Sequence, residues 1–268
     1  MAYTIMKTIN FEKFHGAGND FIMISDMDKS IRLEKEEIKL ICHRRFGIGA
    51  DGLIIVRPAA EADYHMHYYN SDGKESTMCG NGGRCVAAFT YMNDIAGISQ
   101  KFTGPDGVHQ AKIIKTEGNN SRITLQLKDV DAISHGEGYY ILNTGSPHYV
   151  AFSHGIENTD IKSLGRKIRF SQQFAPEGLN VNFVEEISGK LYVRTYERGV
   201  EDETLSCGTG VTASALAYAE NKNLPQGAIS IITKGGELQV SFNKENQKYC
   251  NVWLTGPTKK VFEGIITL

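Results

Sequence analysis

Two Cys-Gly-x-Gly motifs are the residues in this sequence best suited to chemistry. They are Cys79-Gly80-Asn81-Gly82 and Cys207-Gly208-Thr209-Gly210, 128 residues apart, and each opens a segment rich in Val and Ala with few charges. That composition is typical of a buried helix. A cysteine at a helix start meets unpaired N–H groups and the positive end of the helix dipole, and both favour the thiolate. The glycines leave backbone amides uncovered, so each helix start also suits a carboxylate or a developing enolate.

The spacing of the two motifs recurs elsewhere in the chain, which indicates an internal duplication. Residues 18–22 resemble residues 145–149 at an offset of 127, and residues 51–56 resemble residues 179–184 at an offset of 128. Tyr69-Asn70 and Tyr196-Glu197 precede their cysteines at an offset of 127. The shared order predicts two similar α/β halves, each a strongly bent sheet around one buried helix that has a cysteine at its start.

Two thiols at matched positions suit the inversion of a carbon that bears hydrogen. A base must remove the proton from one face while an acid delivers another to the opposite face, and one group cannot easily do both. A thiolate and a thiol on the two sides of the carbon can do so, and they exchange roles when the reaction reverses. The alternative is that small cysteines only pack before glycine-rich helices. The matched pair favours the acid–base role.

The periodicity of the side chains predicts the elements that must hold these motifs. Strands are predicted at residues 53–56, 123–127 and 191–196, and helices at residues 34–45, 83–93 and 210–220.

Composition excludes several classes of protein. The 268 residues include 29 Lys and Arg against 31 Asp and Glu, a net charge of −2, which argues against a basic nucleic-acid or membrane surface. The sequence contains no apolar run long enough for a membrane helix and begins without a signal peptide. We therefore expect a cytoplasmic protein. Its five cysteines are an odd number without a secretory signal, so a disulfide framework is not expected.

Other motifs have simpler interpretations. Residues 47–52 fit G-x-G-x-x-G, but they follow a helical segment and open a strand, the reverse of a dinucleotide site, so a tight turn is predicted. His65 and His67 share one face of a strand without a further ligand at metal-like spacing, which favours an exposed strand face over a metal site. Cys85 is predicted to lie in the core, and Cys42 and Cys250 are predicted to be packed or surface thiols.

Four segments in combination resemble the diaminopimelate epimerase family. They are residues 14–21, 70–73, 78–85 and 197–210, and the resemblance extends over essentially the whole chain. It implies an α/β (α+β) fold of two pseudo-symmetric domains, each a strongly curved mixed or antiparallel sheet around a central helix. The first domain would comprise residues 1–128, completed by the C-terminal strand 257–268, and the second would comprise residues 129–256.

The resemblance also implies an activity. It is the interconversion of LL- and meso-2,6-diaminopimelate by proton transfer at the α-carbon, in lysine and peptidoglycan precursor biosynthesis. The implied enzyme uses neither metal nor cofactor, binds a small amino-acid substrate rather than nucleic acid or membrane, and is a homodimer.

Roles carried over from the family fall on matching positions of this chain. Cys79 and Cys207 would be the acid–base pair, and His148 and Glu197 would tune their protonation. The residues implied to bind substrate are Asn19, Asn70, Gly80, Asn81, Asn180, Glu197, Arg198, Gly208 and Thr209. Among them, a guanidinium suits two-pronged binding of a carboxylate, and a glutamate can accept from an ammonium.

Three positions depart from the family pattern. Ser146 stands where the family commonly has Asn, Gly52 stands where some members have Gln, and the stretch from Glu197 to Cys207 is one residue longer than in some members. None of these changes removes a proposed acid or base.

Alternative functions remain at this point. Proline or hydroxyproline racemases and the phenazine-biosynthesis isomerases share a duplicated architecture. The Glu197-Arg198 pair, together with Asn19, Asn70 and Asn180, favours a long substrate with a distal amino-acid end. A thiol redox switch would use the same two cysteines as a disulfide, and its oxidised form would be active, whereas oxidation would inactivate an epimerase. A third alternative is an inactive binding module, which the presence of both cysteines disfavours.

Overall fold

The computed structural model describes residues 7–268 and divides them into two compact units. The N-terminal unit runs to Ile123 and also contains Thr258–Leu268, and the C-terminal unit is Thr124–Pro257. The predicted boundary at residue 128 lies a few residues beyond this division. Residues 1–6, which open the segment predicted to lack a signal peptide, lie outside the described residues.

The described residues form seventeen strands and four α-helices, with one 3-10 turn at Ile156–Asn158. The helices are α1 (Lys35–Cys42), α2 (Gly80–Met92), α3 (Ile161–Arg169) and α4 (Gly208–Asn221). The strands are β1 (Thr8–Gly16), β2 (Asn19–Ser25), β3 (Gly52–Arg57), β4 (Tyr64–Asn70), β5 (Glu75–Ser76), β6 (Ser99–Gly104), β7 (Gly107–Glu117), β8 (Asn120–Gln126), β9 (Ile133–Gly136), β10 (Tyr139–Asn143), β11 (Pro147–Phe152), β12 (Asn180–Ile187), β13 (Lys190–Glu197), β14 (Asp202–Thr204), β15 (Gln226–Thr233), β16 (Gly236–Glu245) and β17 (Lys248–Thr267).

The two units repeat one order of strand pairing. In the N-terminal unit, β2 is antiparallel to β1 and parallel to β3, and β4 is antiparallel to β3 and β5 but parallel to β6. In the C-terminal unit, β11 is antiparallel to β10 and parallel to β12. Likewise, β13 is antiparallel to β12 and β14 but parallel to β15. Phe21 lies opposite Gly52 in one sheet, and His148 lies opposite Asn180 in the other. The sequence offset of 127 to 128 therefore relates equivalent places in the two sheets.

Helices α2 and α4 are the central helices of their units, as predicted. Every residue of α2 from Gly80 to Thr90 is buried, and α2 contacts β1, β2, β3 and β7. α4 contacts β10 to β13, β15 and β16, and it is buried apart from Thr209 and residues of its last turn. A helix can touch strands from across one sheet only if the sheet curves around it. The predicted fold class, with a curved mixed sheet around a central helix in each half, is confirmed.

Small side chains allow a helix to be buried on all sides. The first turns of α4 contain mainly Gly, Ala, Ser and Thr. The hydroxyls of Thr212 and Ser214 donate to the carbonyls of Gly208 and Gly210 at 2.9 and 2.8 Å. These bonds satisfy the polar side chains within the helix itself, so burying them leaves no donor unpaired.

The last strand contributes to both sheets. Residues 248–255 of β17 pair with β16, whereas residues 259–267 pair with β1, where Thr8 lies opposite Thr267. The backbones of Lys7 and Leu268 are also hydrogen-bonded to each other. The N-terminal unit is therefore assembled from the two ends of the described chain.

The structure can be compared with the local predictions for the glycine-rich turn, for Cys85 and for the two histidines. The turn predicted at residues 47–52 lies earlier, at residues 44–46, where the Gly47 N–H donates to the His43 carbonyl at 2.9 Å, and residue 52 already belongs to β3. Cys85 is fully buried, as predicted. His65 and His67 lie on a half-buried strand face rather than an exposed one, with ring centroids 4.3 Å apart. Helix α3 is not among the predicted helices.

No helix in the described part of the chain has both the length and the apolar character of a membrane span.

Candidate active site

Cys79 and Cys207 occupy the same place in their units, directly before the central helix. They are the N-cap residues of α2 and α4, and both have extended backbone. The Sγ of Cys79 accepts a hydrogen bond from the Gly82 amide at 3.2 Å, and the Sγ of Cys207 lies 3.4 Å from the Oγ1 of Thr209. Cys207 is buried, and Cys79 is half-buried. Each sulfur therefore lies at the positive end of a helix dipole, which favours the thiolate.

In the N-terminal unit, a chain of polar contacts leads from α2 to β2. The guanidinium of Arg84 donates to the Gly80 carbonyl at 3.0 Å and to the Oδ1 of Asn81 at 2.7 Å. The Nδ2 of Asn81 lies 3.4 Å from the Oδ1 of Asn19, whose own Nδ2 donates to the Asp51 carboxylate at 2.7 Å. Asn19 and Asn81, both implied by the resemblance to bind substrate, are thus hydrogen-bonded neighbours beside the start of α2.

Arg84 is a buried charge in the first turns of α2. It is fully buried, and its Nε has no hydrogen-bond partner among the residues that the structure describes. Burial lowers the pKa of Arg84 to about 10, and the nearby thiols of Cys85 and Cys79 oppose that shift. The guanidinium therefore stays charged at neutral pH and favours an anion at this end of the helix.

A cluster of ionised side chains braces the strand that carries Asn19. Asp20 lies 2.7 Å from both Lys13 and Arg44, and Arg44 also contacts Asp51 at 2.7 Å. Burial alone would raise the pKa of Asp20, but hydrogen bonds from Arg44 and Lys13 hold it well below its usual range. The cluster fixes Asp51, which in turn orients the amide of Asn19.

Asn70 lies at the end of β4 and is exposed. It pairs with Gly52 across β3 and β4. At the equivalent place of the C-terminal unit, Glu197 ends β13 and is half-buried. The structure therefore places both residues at strand ends that correspond to each other.

In the C-terminal unit, Asn180 links Arg198 to Ser146. Its Oδ1 accepts the backbone N–H of Arg198 at 2.8 Å, and its Nδ2 donates to the Oγ of Ser146 at 3.1 Å. The guanidinium of Arg198 contacts the Gly178 and Glu177 carbonyls at 3.3 and 3.5 Å. In the C-terminal unit the Arg198 guanidinium therefore contacts neutral backbone carbonyls rather than a carboxylate side chain.

His148 is buried beside the cysteine-bearing turn of this unit. Its Nε2 lies 3.0 Å from the Oγ of Ser146, which lies 3.2 Å from the Oγ1 of Thr209. Its Nδ1 lies 3.1 Å from the Nδ2 of Asn182. Burial, and then the charge of Arg198, lower the pKa of His148 to about 3. The imidazole is therefore neutral at physiological pH.

The structure gives a physical reason for the glycine at position 52. A Cβ there would lie 2.6 Å from the Tyr68 ring and 2.6 Å from the Tyr69 carbonyl, which is closer than real Cβ contacts. A longer side chain at this position would displace β4.

Several residues of these networks are absent from the sequence-based set of site residues. Arg84, Asp51 and Asn182 are among them. One usable signal exists for Asn182, because Asn180 and Asn182 stand two apart on one strand and therefore point to the same face. Two adjacent buried amides on one face indicate a polar network.

The starts of α2 and α4 each combine a thiol with backbone amides, and acid–base chemistry at a carbon can use both. A thiol at a helix N-terminus can exist as thiolate, and the following backbone amides can hold an anion. Among residues 7–268, no group of three or more His, Cys, Asp or Glu side chains could hold a metal ion.

The comparisons with known proteins identify the family. The family model for diaminopimelate epimerase matches residues 11–130 and 140–261. This chain belongs to the diaminopimelate epimerase family. The two matched ranges together cover most of both units.

Relatives in this family match nearly end to end. A diaminopimelate epimerase of Flavobacterium psychrophilum is 46% identical over 259 residues, which cover 95% of this chain and 98% of that protein. The diaminopimelate epimerase of Chlorobaculum tepidum is 37% identical, covering 94% of this chain and 99% of its own. That of Archaeoglobus fulgidus is also 37% identical and covers 97% of each chain.

Solved structures of other proteins share the fold at low sequence identity. A phenazine biosynthesis protein of the PhzF family from Bacillus anthracis has a TM-score of 0.75 at 16% identity, with coverage of 98% of this chain and 100% of that one. A hydroxyproline epimerase from Agrobacterium vitis has a TM-score of 0.71 at 14% identity, with coverage of 100% and 94%. The diaminopimelate epimerase family thus shares its fold with these proteins.

Proposed function

We propose that this protein is a diaminopimelate epimerase, which interconverts LL- and meso-2,6-diaminopimelate without a cofactor. Membership of the family carries the proposal. The pair of cysteines at the N-caps of two equivalent helices supports it, because an inversion needs one proton carrier for each face of the carbon. In this proposal Cys79 and Cys207 are the two carriers.

The proposed reaction is two balanced proton transfers. One cysteine, as thiolate, takes the α-proton, so that the C–H bond breaks, an S–H bond forms and the electron pair stays on the substrate as an enolate. The other cysteine, as thiol, returns a proton to the opposite face, so that its S–H bond breaks and a new C–H bond forms. The enzyme ends with the two protonation states exchanged.

The helix starts supply the charge stabilisation in this proposal. The amides of Gly80, Asn81, Gly208 and Thr209 hold the reacting carboxylate, where negative charge grows during proton removal. Donors that are already fixed in a helix need little reorganisation when that charge appears.

The remaining proposed contacts recognise the polar ends of the substrate. We assign them to Asn19, Asn70, Asn180, Glu197 and Arg198. The networks described above hold Asn19 and Asn180 in fixed amide orientations, and the Arg198 guanidinium suits a carboxylate. His148 and Glu197 are proposed to influence the protonation of the cysteines.

We further propose that the enzyme acts in lysine and peptidoglycan precursor biosynthesis, in the cytoplasm. Within each chain, residues 1–128 and 129–256 form the duplicated halves. Two equivalent chains form a homodimer. Sedimentation equilibrium would test the assembly, with a mass twice that of the chain expected and the mass of one chain contradicting it.

Incubation with LL-diaminopimelate in D2O, without added cofactor, tests the activity. Meso product with deuterium at the inverted α-carbon is the expected result. L-proline and trans-4-hydroxy-L-proline, supplied separately, are the control substrates. Deuterium incorporation into either control but not into diaminopimelate would overturn the proposal in favour of a racemase of the same fold.

The redox state provides a second control. Full activity in the reduced protein is expected. A requirement for oxidation of Cys79 and Cys207 would instead indicate a thiol switch.

A further inference from the structure

The amide of Asn182 has a fixed orientation. Its Nδ2 is 2.9 Å from the backbone carbonyl of Tyr149, and a carbonyl oxygen can only accept a hydrogen bond. Its Oδ1 accepts the hydroxyl of Thr195 at 2.9 Å. The second hydrogen of Nδ2 therefore points to the Nδ1 of His148, 3.1 Å away.

This orientation selects one tautomer of His148. Because Asn182 donates to Nδ1, that nitrogen must be the unprotonated acceptor. The imidazole is neutral, so its single proton lies on Nε2. Nε2–H then donates to the Oγ of Ser146 at 3.0 Å.

Ser146 receives a second donor from the opposite side. The Oδ1 of Asn180 is occupied by the backbone N–H of Arg198, so its Nδ2 donates to the Ser146 oxygen at 3.1 Å. A hydroxyl oxygen has two lone pairs, and both are now used. The hydrogen of Ser146 must therefore go to the Oγ1 of Thr209, 3.2 Å away.

Thr209 completes the series. Its Oγ1 accepts from Ser146, and its own hydrogen can point to the Sγ of Cys207 at 3.4 Å. We propose that His148, Ser146 and Thr209 form a one-directional hydrogen-bond relay that presents a hydroxyl donor to Cys207 and stabilises its thiolate, with Asn182 as the positioning residue that sets the direction. The hydrogen-bond relay does not depend on the proposed function. Only the use of the Cys207 thiolate as a base in epimerisation rests on that function.

Among its described residues, the N-terminal unit has different side chains at the places of this relay. At the places of Ser146, His148 and Asn182 it has Asn19, Phe21 and Ile54, by the offset that the sheet registers establish. Hydrogen bonds in that unit connect Arg84 through Asn81 and Asn19 to the carboxylate of Asp51. The side chains of the relay are therefore present on the Cys207 side and are replaced at the equivalent places of the Cys79 side.

Alkylation by iodoacetamide across a pH series, with Cys79 and Cys207 quantified separately by mass spectrometry of peptides, tests the relay. The midpoint of each profile gives the pKa of that thiol. Ser146→Ala and Thr209→Val remove a hydroxyl each, and we expect about a tenfold lower thiolate fraction at Cys207 below its midpoint. Thr209→Ser keeps the hydroxyl and should keep the midpoint.

Two controls separate the relay from a general loss of structure. Ser214→Ala deletes a buried hydroxyl of the same helix that bonds only to the Gly210 carbonyl in the described network, so the Cys207 midpoint should not change. In all variants the Cys79 midpoint serves as an internal reference. An unchanged Cys207 midpoint in both Ser146→Ala and Thr209→Val would overturn the proposal, as would an equal shift of both cysteines.

Nitrogen-15 spectra of the wild-type imidazoles give an independent measurement without substitution. We expect His148 to be the Nε2–H tautomer between pH 5 and pH 8, and an Nδ1–H tautomer would overturn the relay. Neither experiment uses diaminopimelate. A protein with the relay but no deuterium incorporation would contradict only the proposed function, and an active epimerase without the relay would contradict only this inference.

Discussion

Single side chains decide the chemistry that this protein can perform. The first prediction concerns the two cysteines. Cys79→Ala and Cys207→Ala should each lower the rate of epimerisation by about 10³-fold or more, because each face of the carbon loses its proton carrier. The rate of meso-diaminopimelate formation from the LL isomer measures this loss.

Cys250→Ala is the matched control, because Cys250 is a half-buried thiol on β17. It should keep wild-type turnover. Near-normal turnover in either Cys79→Ala or Cys207→Ala would contradict the assignment of two carriers.

The second prediction uses the pH dependence of stability. In the folded protein the pKa of His148 is about 3, below its value of 6.5 in an unfolded chain. The unfolded state therefore binds an extra proton as pH falls below about 6.5. The free energy of unfolding should decrease by about 2 kcal/mol from this residue between pH 7 and pH 5.

Urea denaturation of wild type and His148→Gln at several pH values measures this contribution. The variant lacks the titrating group, so its stability should fall less steeply by the stated amount. Parallel pH profiles for the two proteins would show that His148 is not buried as a neutral group.

At the residue scale, the sequence predicts the pair Cys79 and Cys207 because their motifs are local and repeated. It does not predict the partners of Asp20, since Lys13 comes from β1 whereas Arg44 and Asp51 come from the connection between α1 and β3. It also does not predict the roles of Ser146 and Asn182, because a hydrogen-bond direction depends on donors that only the fold brings together. Local spacing is visible in a sequence, whereas the orientation of an amide is not.

At the scale of elements, the close approach of α4 to β12 depends on Gly210. A Cβ at this position would lie 2.4 Å from the Oδ1 of Asn182. Because both ends of that amide are hydrogen-bonded, Asn182 cannot move aside without losing a bond. We expect Gly210→Ala to lower the free energy of unfolding by about 1 to 3 kcal/mol.

Gly97→Ala provides the comparison, since a Cβ there meets nothing within 4 Å. Its stability should stay within about 0.5 kcal/mol of wild type. Thermal or urea unfolding of both variants measures the difference. Equal stabilities would mean that α4 can shift away from β12 freely.

The central helices could be predicted because a run of small apolar residues that follows two glycines is distinctive. The observed α2 and α4 begin two or three residues before the predicted segments, at Gly80 and Gly208, so the glycines belong to the helices. Helix α3 is not among the predicted helices, although Ile161, Leu164 and Ile168 stand at the i, i+3 and i+7 spacing of a helix face. The sequence therefore contains the periodic signal, but in a segment of only nine residues.

At the scale of the whole molecule, the C-terminal segment is the piece that completes the N-terminal unit. Residues 259–267 pair with β1 from Thr8 to His15. Truncation after Pro257 should therefore unfold the N-terminal unit while residues 124–257 keep their own core. Limited proteolysis with mass spectrometry should show rapid cleavage before residue 123 and a protected fragment after it.

Ile265→Thr is the control for this truncation. The side chain is exposed, with 66% of its surface accessible, and the substitution leaves the backbone ladder intact. Its proteolysis pattern should match wild type. A truncated protein with an equally resistant N-terminal unit would show that β1 does not need this partner.

Duplication could be inferred from the sequence because a nearly constant offset connects several short segments. The divergence of the two copies could not be inferred from the sequence. Phe21 and His148 occupy equivalent positions of the two units, but one side chain is apolar and the other forms hydrogen bonds. One copy keeps an apolar ring there, and the other has acquired a hydrogen-bonded imidazole.

The pairing of Thr8 with Thr267 also bears on the order of folding. The C-terminal unit is one continuous stretch of chain, whereas the N-terminal unit forms only when β1 and the second part of β17, which are distant in sequence, have come together. Closing a longer loop costs more conformational entropy and slows the step that requires it. On refolding from urea we therefore expect the C-terminal unit to form before the N-terminal unit.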